Sequence, residues 1–287
     1  MSNSEVFNLY GYKVLAKALS PSEISQLDTT DRQLTAQAKD ILQQVQRSGS
    51  SLAQFYKTSP KQLIVVPERD DPTKVCRIEY LTESHEFIKR TLVPKLAKLI
   101  QDEIGQPVAL FKDKCNAKNP GGGAFRPHQD VVAYRHFEPN YHVTAAIFLD
   151  EATQENGCLN FATNYKQLDK ALFESTELIN QQYLPVFPRY QGGALHGDIQ
   201  EEVCKHLDWQ MLEAKPGDVV LFDSYVPHYS EANRSQHSRR AMFFTFNLAG
   251  QGQYYLDYYR MKYEQYDNPV FHISTPSEHL ASEDAGQ

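Results

Sequence analysis

The sequence predicts a mainly β protein with flanking helices, and three observations support this fold class. Short β-type runs separated by turn residues recur from residue 108 to residue 248, which is typical of an antiparallel sandwich or barrel. Helical patterns lie before and after these runs. The length of 287 residues and the 41% hydrophobic content suit one large globular domain. We therefore expect a single domain over residues 1–287.

Two helical patterns form the predicted N-terminal support, at about residues 1–106. The first begins at Ser20-Pro21-Ser22-Glu23, where Ser stands three residues before Glu and Pro takes the first helical position, and it runs to the break at Gly49. The second runs from about Glu83 to Ile104, with an interruption at Pro94 and a stop at Gly105. The first pattern is that of a plain amphipathic helix, and we expect the second helix to pack against a sheet.

The predicted β core covers about residues 107–250. Its strands are expected at 108–118, 128–134, 142–150, 157–163, 207–213, 218–223 and 239–248. A long insertion at about 165–206, with a short helix and the loop 187–193, has the character of a lid. A last helix is expected near 251–266, and the tail up to 287 is polar after Ser274 and expected to be loose.

Composition limits the compartment and the partners. The formal net charge of −7 argues against a nucleic-acid or anionic membrane partner, so a small-molecule substrate is expected. Cysteines 76, 115, 158 and 204 show no metal-finger spacing and are expected to be reduced thiols. Without a signal peptide or membrane-spanning run, the sequence predicts a cytoplasmic protein. Nothing in the sequence indicates the oligomeric state.

The chemistry is carried by a histidine and a carboxylate two residues apart. His128 and Asp130 point to the same face if this segment is an extended strand. His228 follows a hundred residues later, just after the predicted strand 218–223. Two imidazoles and one carboxylate make a facial triad that leaves three positions of an octahedral iron open. Arg239, eleven residues after His228, supplies the bidentate cation that a chelating dicarboxylate needs at its far end.

Four stretches resemble the phytanoyl-CoA dioxygenase family of iron(II)/2-oxoglutarate enzymes. They are Pro120-Gly121-Gly122-Gly123-Ala124-Phe125-Arg126-Pro127-His128-Gln129-Asp130, then Asp150 to Leu159 with Asn156-Gly157-Cys158, then Pro216 to Asp223, and finally His228 to Ala241. The resemblance implies a single catalytic domain with a double-stranded β-helix, which is a cupin-like jelly roll.

The resemblance also implies the cofactors and the roles of individual residues. His128, Asp130 and His228 would bind Fe(II) as the catalytic centre, with 2-oxoglutarate and O2 as co-substrates. Arg239 would hold the distal carboxylate of 2-oxoglutarate, and Asn116 would face the same cavity. Lys112 and Lys114 share the face of Asn116 by strand alternation, so one of them is expected to bind 2-oxoglutarate, with Lys114 the residue we select, or an anionic substrate.

Two details of the resemblance concern the reaction. The family's usual Pro-Gly-Ser-His is replaced by Ala162-Thr163-Asn164-Tyr165, which touches the substrate side. Asp130 is present where halogenating relatives have Gly or Ala, so hydroxylation of a C–H bond, with release of succinate and CO2, is the implied outcome.

For the substrate, the runs 134–137 and 141–144 resemble the bacterial branch that hydroxylates 2-aminoethylphosphonate and its N-methylated analogue. An aminoalkylphosphonate is therefore the expected substrate. Arg126, Arg135 and His136 are the candidates for a phosphonate, and Tyr134 and Tyr141 for an ammonium group.

Alternatives remain open at this point. The same chemistry on an amino acid or a natural-product intermediate fits the motifs equally well. A zinc or manganese hydrolase fits two histidines and one aspartate but leaves Arg239 without a purpose. A non-catalytic binding protein of the same fold would need neither the three ligands nor Arg239.

Overall fold

Two antiparallel β-sheets form the centre of the computed structural model, which describes residues 3–68, 71–193 and 195–268. The larger sheet has seven strands in the order β1-β11-β6-β13-β4-β3-β2, and the smaller has four in the order β10-β7-β12-β5. Rings from the two sheets meet between them, since Phe161 of the smaller sheet lies 5.4 Å from Phe222 of the larger, centroid to centroid. The predicted mainly β class is confirmed.

The strands of the larger sheet are β1 (Tyr12–Leu15), β2 (Ile64–Pro67), β3 (Val75–Glu79), β4 (Val108–Lys118), β6 (His142–Phe148), β11 (Val219–Asp223) and β13 (Arg239–Leu248). Those of the smaller sheet are β5 (Phe125–His128), β7 (Leu159–Ala162), β10 (Trp209–Leu212) and β12 (His228–Ser230). A separate hairpin joins β8 (Ser175–Ile179) to β9 (Gln182–Val186). The helices are α1 (Asn3–Tyr10), α2 (Pro21–Ser48), α3 (Leu52–Thr58), α4 (Leu81–Ser84), α5 (Val93–Ile104), α6 (Val131–Tyr134), α7 (Glu201–Cys204) and α8 (Tyr255–Glu264).

The long helix α2 has the ends that the sequence predicts. The Ser20 side chain accepts a hydrogen bond from the Glu23 amide, and the Glu23 carboxylate accepts one from the Ser20 amide, so the capping box is complete. Gly49 closes the helix with φ of 64°, in the left-handed region where glycine is favoured.

The second predicted helix is interrupted just before Pro94. A π-helical turn, Ile88–Leu92, separates α4 from α5, and proline stands in the first turn of α5, where its missing N–H costs no hydrogen bond. Leu96 and Ile100 are fully buried, so α5 backs the larger sheet as expected. Gly105 ends α5 in the left-handed region.

The N-terminal part also contributes three strands that the sequence analysis did not predict. β1 pairs with β11, while β2 and β3 extend the other edge of the sheet by pairing with each other and with β4. These strands are four or five residues long, too short to show a clear alternation of polar and apolar residues.

The predicted strand 128–134 is wrong. The strand of this segment, β5, lies earlier and ends at His128, and Asp130 adopts helical dihedral angles at the start of the single turn α6. The amide of Val131 donates to the Ser224 carbonyl, and the amide of Ala133 donates to the Asp130 carbonyl, so the chain turns here. These tertiary contacts override the strand preference of Val131 and Val132.

The predicted insertion at 165–206 contains more regular structure than a loop. It includes two short 3-10 turns, the β8–β9 hairpin and the turn of helix α7. Its hairpin and its final loop contact the segment that carries His128 and Asp130, since the Ile199 amide donates to the Pro127 carbonyl. Movement of this insertion as a lid stays a prediction.

The C-terminal helix α8 lies against β4 through a row of tyrosines. The hydroxyls of Tyr255 and Tyr259 donate to the buried carboxylate of Asp113, which also accepts from the amides of Leu81 and Thr82. This carboxylate thus joins α8 and α4 to β4. The tail predicted to be loose, after Ser274, lies outside the described residues. No helix of the described ranges is long and apolar enough to cross a membrane.

Candidate metal centre

Three ligand atoms converge between the two sheets. One atom each from His128, Asp130 and His228 lie within 4.8 Å of one another. His128 Nε2 is 3.9 Å from Asp130 Oδ1, and the two imidazole centroids are 4.3 Å apart. The predicted cluster is therefore assembled, and its donor set of two nitrogens and one carboxylate oxygen suits a non-haem iron(II) centre with open positions.

Strand pairing brings the two histidines together. His228 of β12 is the direct partner of His128 of β5 in the smaller sheet. Asp130 reaches the same point by a different route from the one predicted, because the chain leaves the strand after His128 and turns into α6. The turn, rather than strand alternation, aims this carboxylate at the imidazoles.

Backbone carbonyls fix the tautomer of both imidazoles. His128 Nδ1 lies 2.7 Å from the Arg126 carbonyl, and His228 Nδ1 lies 3.1 Å from the Val226 carbonyl. A carbonyl oxygen only accepts, so each Nδ1 carries the proton and each Nε2 keeps its lone pair for a metal. Each ring is thus oriented by the residue two positions before it.

Burial keeps the imidazoles neutral. It lowers the pKa of His128 to about 3, with the nearby His228 adding to the effect, and it lowers the pKa of His228 as well. Burial acts in the opposite direction on Asp130, but His228, Lys112 and Lys114 outweigh it and hold the pKa of this carboxyl below its ordinary value. At neutral pH all three groups are in the protonation state that binds a cation.

Gln129 ties the metal-binding segment to two neighbouring segments. Its amide nitrogen donates to the carbonyls of Pro185, 2.9 Å away, and of Tyr225, and its amide oxygen accepts from the Phe187 amide at 2.9 Å. The side chain is 1% exposed. Because Pro185 belongs to the β8–β9 hairpin and Tyr225 precedes His228, one amide aligns both halves of the ligand set.

A cavity opens beside the ligands and contains about 500 Å³ of atom-free space, part of it open to solvent. Its apolar walls include Phe125, Leu159, Phe222 and Phe243. Arg239 lines it as well, is 2% exposed, and has two guanidinium nitrogens, Nε and Nη1, with no hydrogen-bond partner among the described residues. Burial lowers the pKa of Arg239 only to about 10, so it stays cationic at neutral pH.

The cavity also contains the other two residues predicted to contact 2-oxoglutarate. Asn116 lines it, with a buried amide oxygen that no other described group contacts by a hydrogen bond. Lys114 lines it too, with Nζ 5.4 Å from the Phe243 ring centroid. Burial lowers the pKa of Lys114 to about 7.

Sequence reasoning did not select Ser230 and Lys118, which lie next to Arg239. Lys118 is the strand partner of Arg239, and its ammonium donates to the Ser230 hydroxyl, 2.8 Å away, and to the Glu231 carbonyl. Ser230 itself lines the cavity. Alternation along β4 places Lys118 on the same face as Asn116, and alternation along β12 places Ser230 on the same face as His228. The sequence could therefore have predicted both residues.

The residues predicted for the substrate occupy different places. Tyr134 lines the cavity. Arg126 lies 3.5 Å from Asp198, and Arg135 lies 3.3 Å from Glu174. Both arginines therefore form ion pairs with acidic residues of the insertion. Tyr141 is buried and is not among the cavity-lining residues described. His136, an additional phosphonate candidate, is exposed. Contact of these five residues with the substrate stays a prediction.

The residues present fit iron and 2-oxoglutarate. The triad offers a cation three of six positions, and the unpaired guanidinium of Arg239 is buried in the same cavity. A buried cation without a partner costs several kcal/mol, about as much as a buried salt bridge loses when one side is removed. A carboxylate at this position would remove that cost.

Comparison with known proteins gives the same assignment. The family model for phytanoyl-CoA dioxygenase matches residues 7–241. A 2-aminoethylphosphonate dioxygenase from the uncultured bacterium HF130_AEPn_1 is 37% identical over 193 residues, which are 67% of this chain and 66% of that protein. A methylphosphonate hydroxylase from Gimesia maris is 36% identical over 191 residues, which are 65% of this chain and 64% of that protein. The chain thus covers slightly less than two thirds of either relative's length.

Among solved structures, EctD from S. alaskensis with 2-oxoglutarate and 5-hydroxyectoine superimposes with a TM-score of 0.63. The match covers 86% of this chain and 76% of that one, at 19% sequence identity. This likeness supports the predicted double-stranded β-helix fold.

Proposed function

Because the chain belongs to the phytanoyl-CoA dioxygenase family, we propose that it is an iron(II)- and 2-oxoglutarate-dependent oxygenase that hydroxylates a C–H bond of a small phosphonate. The observation that carries the proposal is the pairing of two features in one cavity. The His128, Asp130 and His228 cluster lines it, and so does the buried, unpaired guanidinium of Arg239.

Different residues of the chain bind iron(II) and 2-oxoglutarate. His128, Asp130 and His228 hold iron(II), and Arg239 binds the distal carboxylate of 2-oxoglutarate, with Ser230 and Asn116 beside it. When bound, iron(II), 2-oxoglutarate and dioxygen together supply the oxidation of a C–H bond to an alcohol, with succinate and CO2 as coproducts.

Positioning and exclusion of water are left to the protein. The rings of Phe125, Phe222 and Phe243 and the side chain of Leu159 keep the cavity largely apolar. A dry, rigid wall holds the reacting carbon in place and protects reactive species from solvent. The Gln129 contacts keep the ligands of the two strands in register while this happens.

The substrate class rests on the two bacterial relatives, both of which act on phosphonates, as their names state. The cavity supports it, since Lys114 and Arg239 give its lining an excess of cations over the single carboxylate, Asp130, among the lining residues described. An aminoalkylphosphonate remains the substrate we propose. The same reaction on an amino acid or a natural-product intermediate is the second candidate, because L-proline trans-4-hydroxylase from Streptomyces griseoviridis is 27% identical over 164 residues.

The test is succinate formation by enzyme loaded anaerobically with iron(II) and 2-oxoglutarate, followed on admission of oxygen. The panel contains 2-aminoethylphosphonate, its trimethylated form, methylphosphonate, amino acids and acyl-CoAs. We expect phosphonates to stimulate succinate release and the hydroxylated phosphonate to appear in equal amount. Turnover that proceeds without oxygen, or with zinc in place of iron, would instead favour a hydrolase.

A further inference from the structure

A further lysine, Lys112, lies beside the part of the cavity remote from Arg239, against the ring of the lining residue Tyr134. In the larger sheet Arg239 pairs with Lys118, Phe243 with Lys114, and Thr245 with Lys112. These pairs share one face by alternation, and six residues of strand separate Arg239 from Thr245, or roughly 20 Å. Lys112 therefore stands too far from Arg239 to share the distal carboxylate of 2-oxoglutarate.

Next to Lys112 the cavity wall carries three hydroxyl groups. Tyr134 is 1% exposed and lines the cavity, and its hydroxyl lies near Thr245 and Asp130 without a well-formed hydrogen bond to either. Lys112 Nζ lies 4.4 Å from the centroid of the Tyr134 ring, in cation–π contact. Thr144 and Thr245 line the cavity nearby and share a hydrogen bond of 2.8 Å between their hydroxyls.

The charges near Lys112 do not balance. The closest carboxylates that act on it are Asp130, which belongs to the metal cluster, and Glu79. Glu79 is already paired with Lys262 at 2.6 Å and lies 3.7 Å from Arg77. Neither carboxylate is therefore available to neutralise Lys112.

The net charge of the cavity with a metal ion and 2-oxoglutarate bound also indicates that an anion binds near Lys112. Lys114 and Arg239 in the lining, and Lys112 beside the lining residue Tyr134, are opposed by one carboxylate of the described lining, Asp130. With a divalent cation and the dianion of 2-oxoglutarate bound, two positive charges are left when all three basic side chains are protonated. A second dianion would neutralise them.

We propose that Lys112 and Tyr134, with the Thr144–Thr245 hydroxyl pair, form the subsite for the phosphonate group of the substrate. This inference rests on the proposed function and assigns the residues that select the substrate class. A phosphonate offers three oxygens in a tetrahedral array, and the wall offers an ammonium, a phenol and a threonine hydroxyl as donors. A carboxylate has only two oxygens and one charge, so it matches this set less well.

The assignment replaces the arginines expected from the sequence. Arg126 and Arg135 have carboxylate partners in Asp198 and Glu174. Lys112 lies over the rings of Tyr134 and Tyr258 but has neither a hydrogen bond nor an ion pair to any described residue, so a phosphonate beside it would displace no hydrogen bond and no ion pair. Binding at Lys112 and Tyr134 also places the headgroup next to Asp130, hence close to the reacting centre.

The experiment measures binding rather than turnover. Methylphosphonate and 2-aminoethylphosphonate are titrated into anaerobic enzyme loaded with iron(II) and 2-oxoglutarate, by calorimetry, for the wild type and for Lys112→Met and Tyr134→Phe. We expect Kd for both phosphonates to rise by about tenfold to hundredfold in Lys112→Met and by about tenfold in Tyr134→Phe. The Kd of 2-oxoglutarate and the iron content should stay unchanged.

Lys166→Met is the matched control. Lys166 is also half-buried and also lies over a tyrosine ring, with Nζ 5.4 Å from the Tyr165 centroid, but it is outside the described cavity lining. Its replacement should leave phosphonate binding unchanged. Tyr134→Phe removes one hydroxyl and keeps the ring, so it remains informative if Lys112→Met fails to fold.

The outcomes separate the subsite from the proposed function. Wild-type binding that both variants retain would overturn the subsite, and phosphonate-stimulated succinate would still uphold the function. A wild type that binds no phosphonate, yet forms succinate with another substrate, would overturn the subsite together with the proposed substrate class. Loss of 2-oxoglutarate affinity in Lys112→Met would show that Lys112 serves the co-substrate instead.

Discussion

At the scale of single residues, two adjacent arginines illustrate how strand alternation divides roles. Arg239 points into the cavity with unpaired nitrogens, whereas Arg240 points to the other face and binds Asp28, Asp31 and Asp150. The two side chains have the same chemistry and differ only in the face they occupy.

The first prediction compares Arg239→Met with Arg240→Met. Arg239→Met should raise the Kd of 2-oxoglutarate by at least about a hundredfold, because a buried bidentate partner of the carboxylate is lost, and iron binding should persist. Arg240→Met should lower the free energy of unfolding by about 2 kcal/mol, because three carboxylates lose a shared, partly solvated cation, and it should leave 2-oxoglutarate binding intact. Calorimetry and chemical denaturation measure the two effects. Iron loss in Arg239→Met equal to that in His128→Ala would contradict the assigned roles.

The second prediction concerns His142, whose ring is 1% exposed, packs on Phe111 and Tyr134, and has no hydrogen-bond partner for either nitrogen among the residues described. Burial lowers the pKa of His142 to about 3, below the value near 6.5 of an unfolded histidine. The unfolded chain therefore takes up this proton first as pH falls, and the wild type loses stability below about pH 6.5.

His142→Phe removes that proton uptake. We compare the metal-free proteins by the free energy of unfolding of the variant minus that of the wild type. As pH falls from about 6 to about 4, this difference should increase by about 1.4 kcal/mol per pH unit. Denaturation curves at several pH values measure the difference, in which the contributions of all shared groups cancel. A difference that does not change with pH would mean that His142 titrates normally.

The sequence was sufficient for residues whose role depends on the residue type and spacing. His128, Asp130 and His228 converge as predicted, and Arg239 and Asn116 lie in the same cavity. The sequence was insufficient for Arg126 and Arg135, because it does not show which acidic residue an arginine near a motif will pair with. Asp198 and Glu174, which pair with them, are 72 and 39 residues further along the chain.

At the scale of secondary structure, Gly157 allows the turn before β7 to pack closely against the backbone that follows β12. Its φ is +75°, and a Cβ built on it would lie 2.2 Å from the Glu231 carbonyl oxygen. That carbonyl also accepts the hydrogen bond of Lys118, beside Arg239. The glycine thus supports the wall of the proposed 2-oxoglutarate site.

The third prediction follows from this contact. Gly157→Ala should lower the free energy of unfolding by about 3 kcal/mol, through a strained φ and a backbone clash, and should weaken 2-oxoglutarate binding as Glu231 shifts. Gly192→Ala is the control, because Gly192 has nearly the same φ, +76°, with open space around it, and should cost only about 1 kcal/mol. Equal losses in the two variants would show that the contact with Glu231 is unimportant.

Elements with strong local signals were predicted well. β4 spans 108–118 and β13 spans 239–248, as expected, and α2 begins and ends at its capping residues. The prediction for 128–134 failed because local preference and tertiary contacts disagree: Val131 and Val132 favour a strand, while the Val131 amide bonds to Ser224 and a turn results. β1 and β2 are recognisable only through the strands they pair with.

At the scale of the whole molecule, a buried ion pair joins the last described helix to the edge of the larger sheet. Lys262 of α8 donates to both oxygens of Glu79 on β3, at 2.6 Å, and both side chains are at most 3% exposed. Arg77 lies 3.7 Å from the same carboxylate. The pair links residues 183 positions apart.

The fourth prediction tests this link. Lys262→Met should lower the free energy of unfolding by about 3 to 5 kcal/mol, because Glu79 keeps its charge in a buried place and the remaining cations near it, Arg77 and Lys112, make no hydrogen bond to it. The double variant Lys262→Met/Glu79→Gln should recover part of that loss, since the unpaired charge is removed as well. Urea denaturation measures both. If the double variant is no more stable than the single one, the pair is not what holds α8 to β3.

The direct pairing of His128 with His228 also governs when during its synthesis the protein can acquire iron. A nascent chain that has exposed only the first hundred and thirty residues presents one imidazole and one carboxylate, a weak and open chelate. The third ligand arrives only once β12 has emerged and docked beside β5, with Tyr225 held by Gln129. Iron is therefore captured tightly only by chains in which β12 has joined β5 in the smaller sheet, and metal content serves as a gauge of how many chains have formed that sheet.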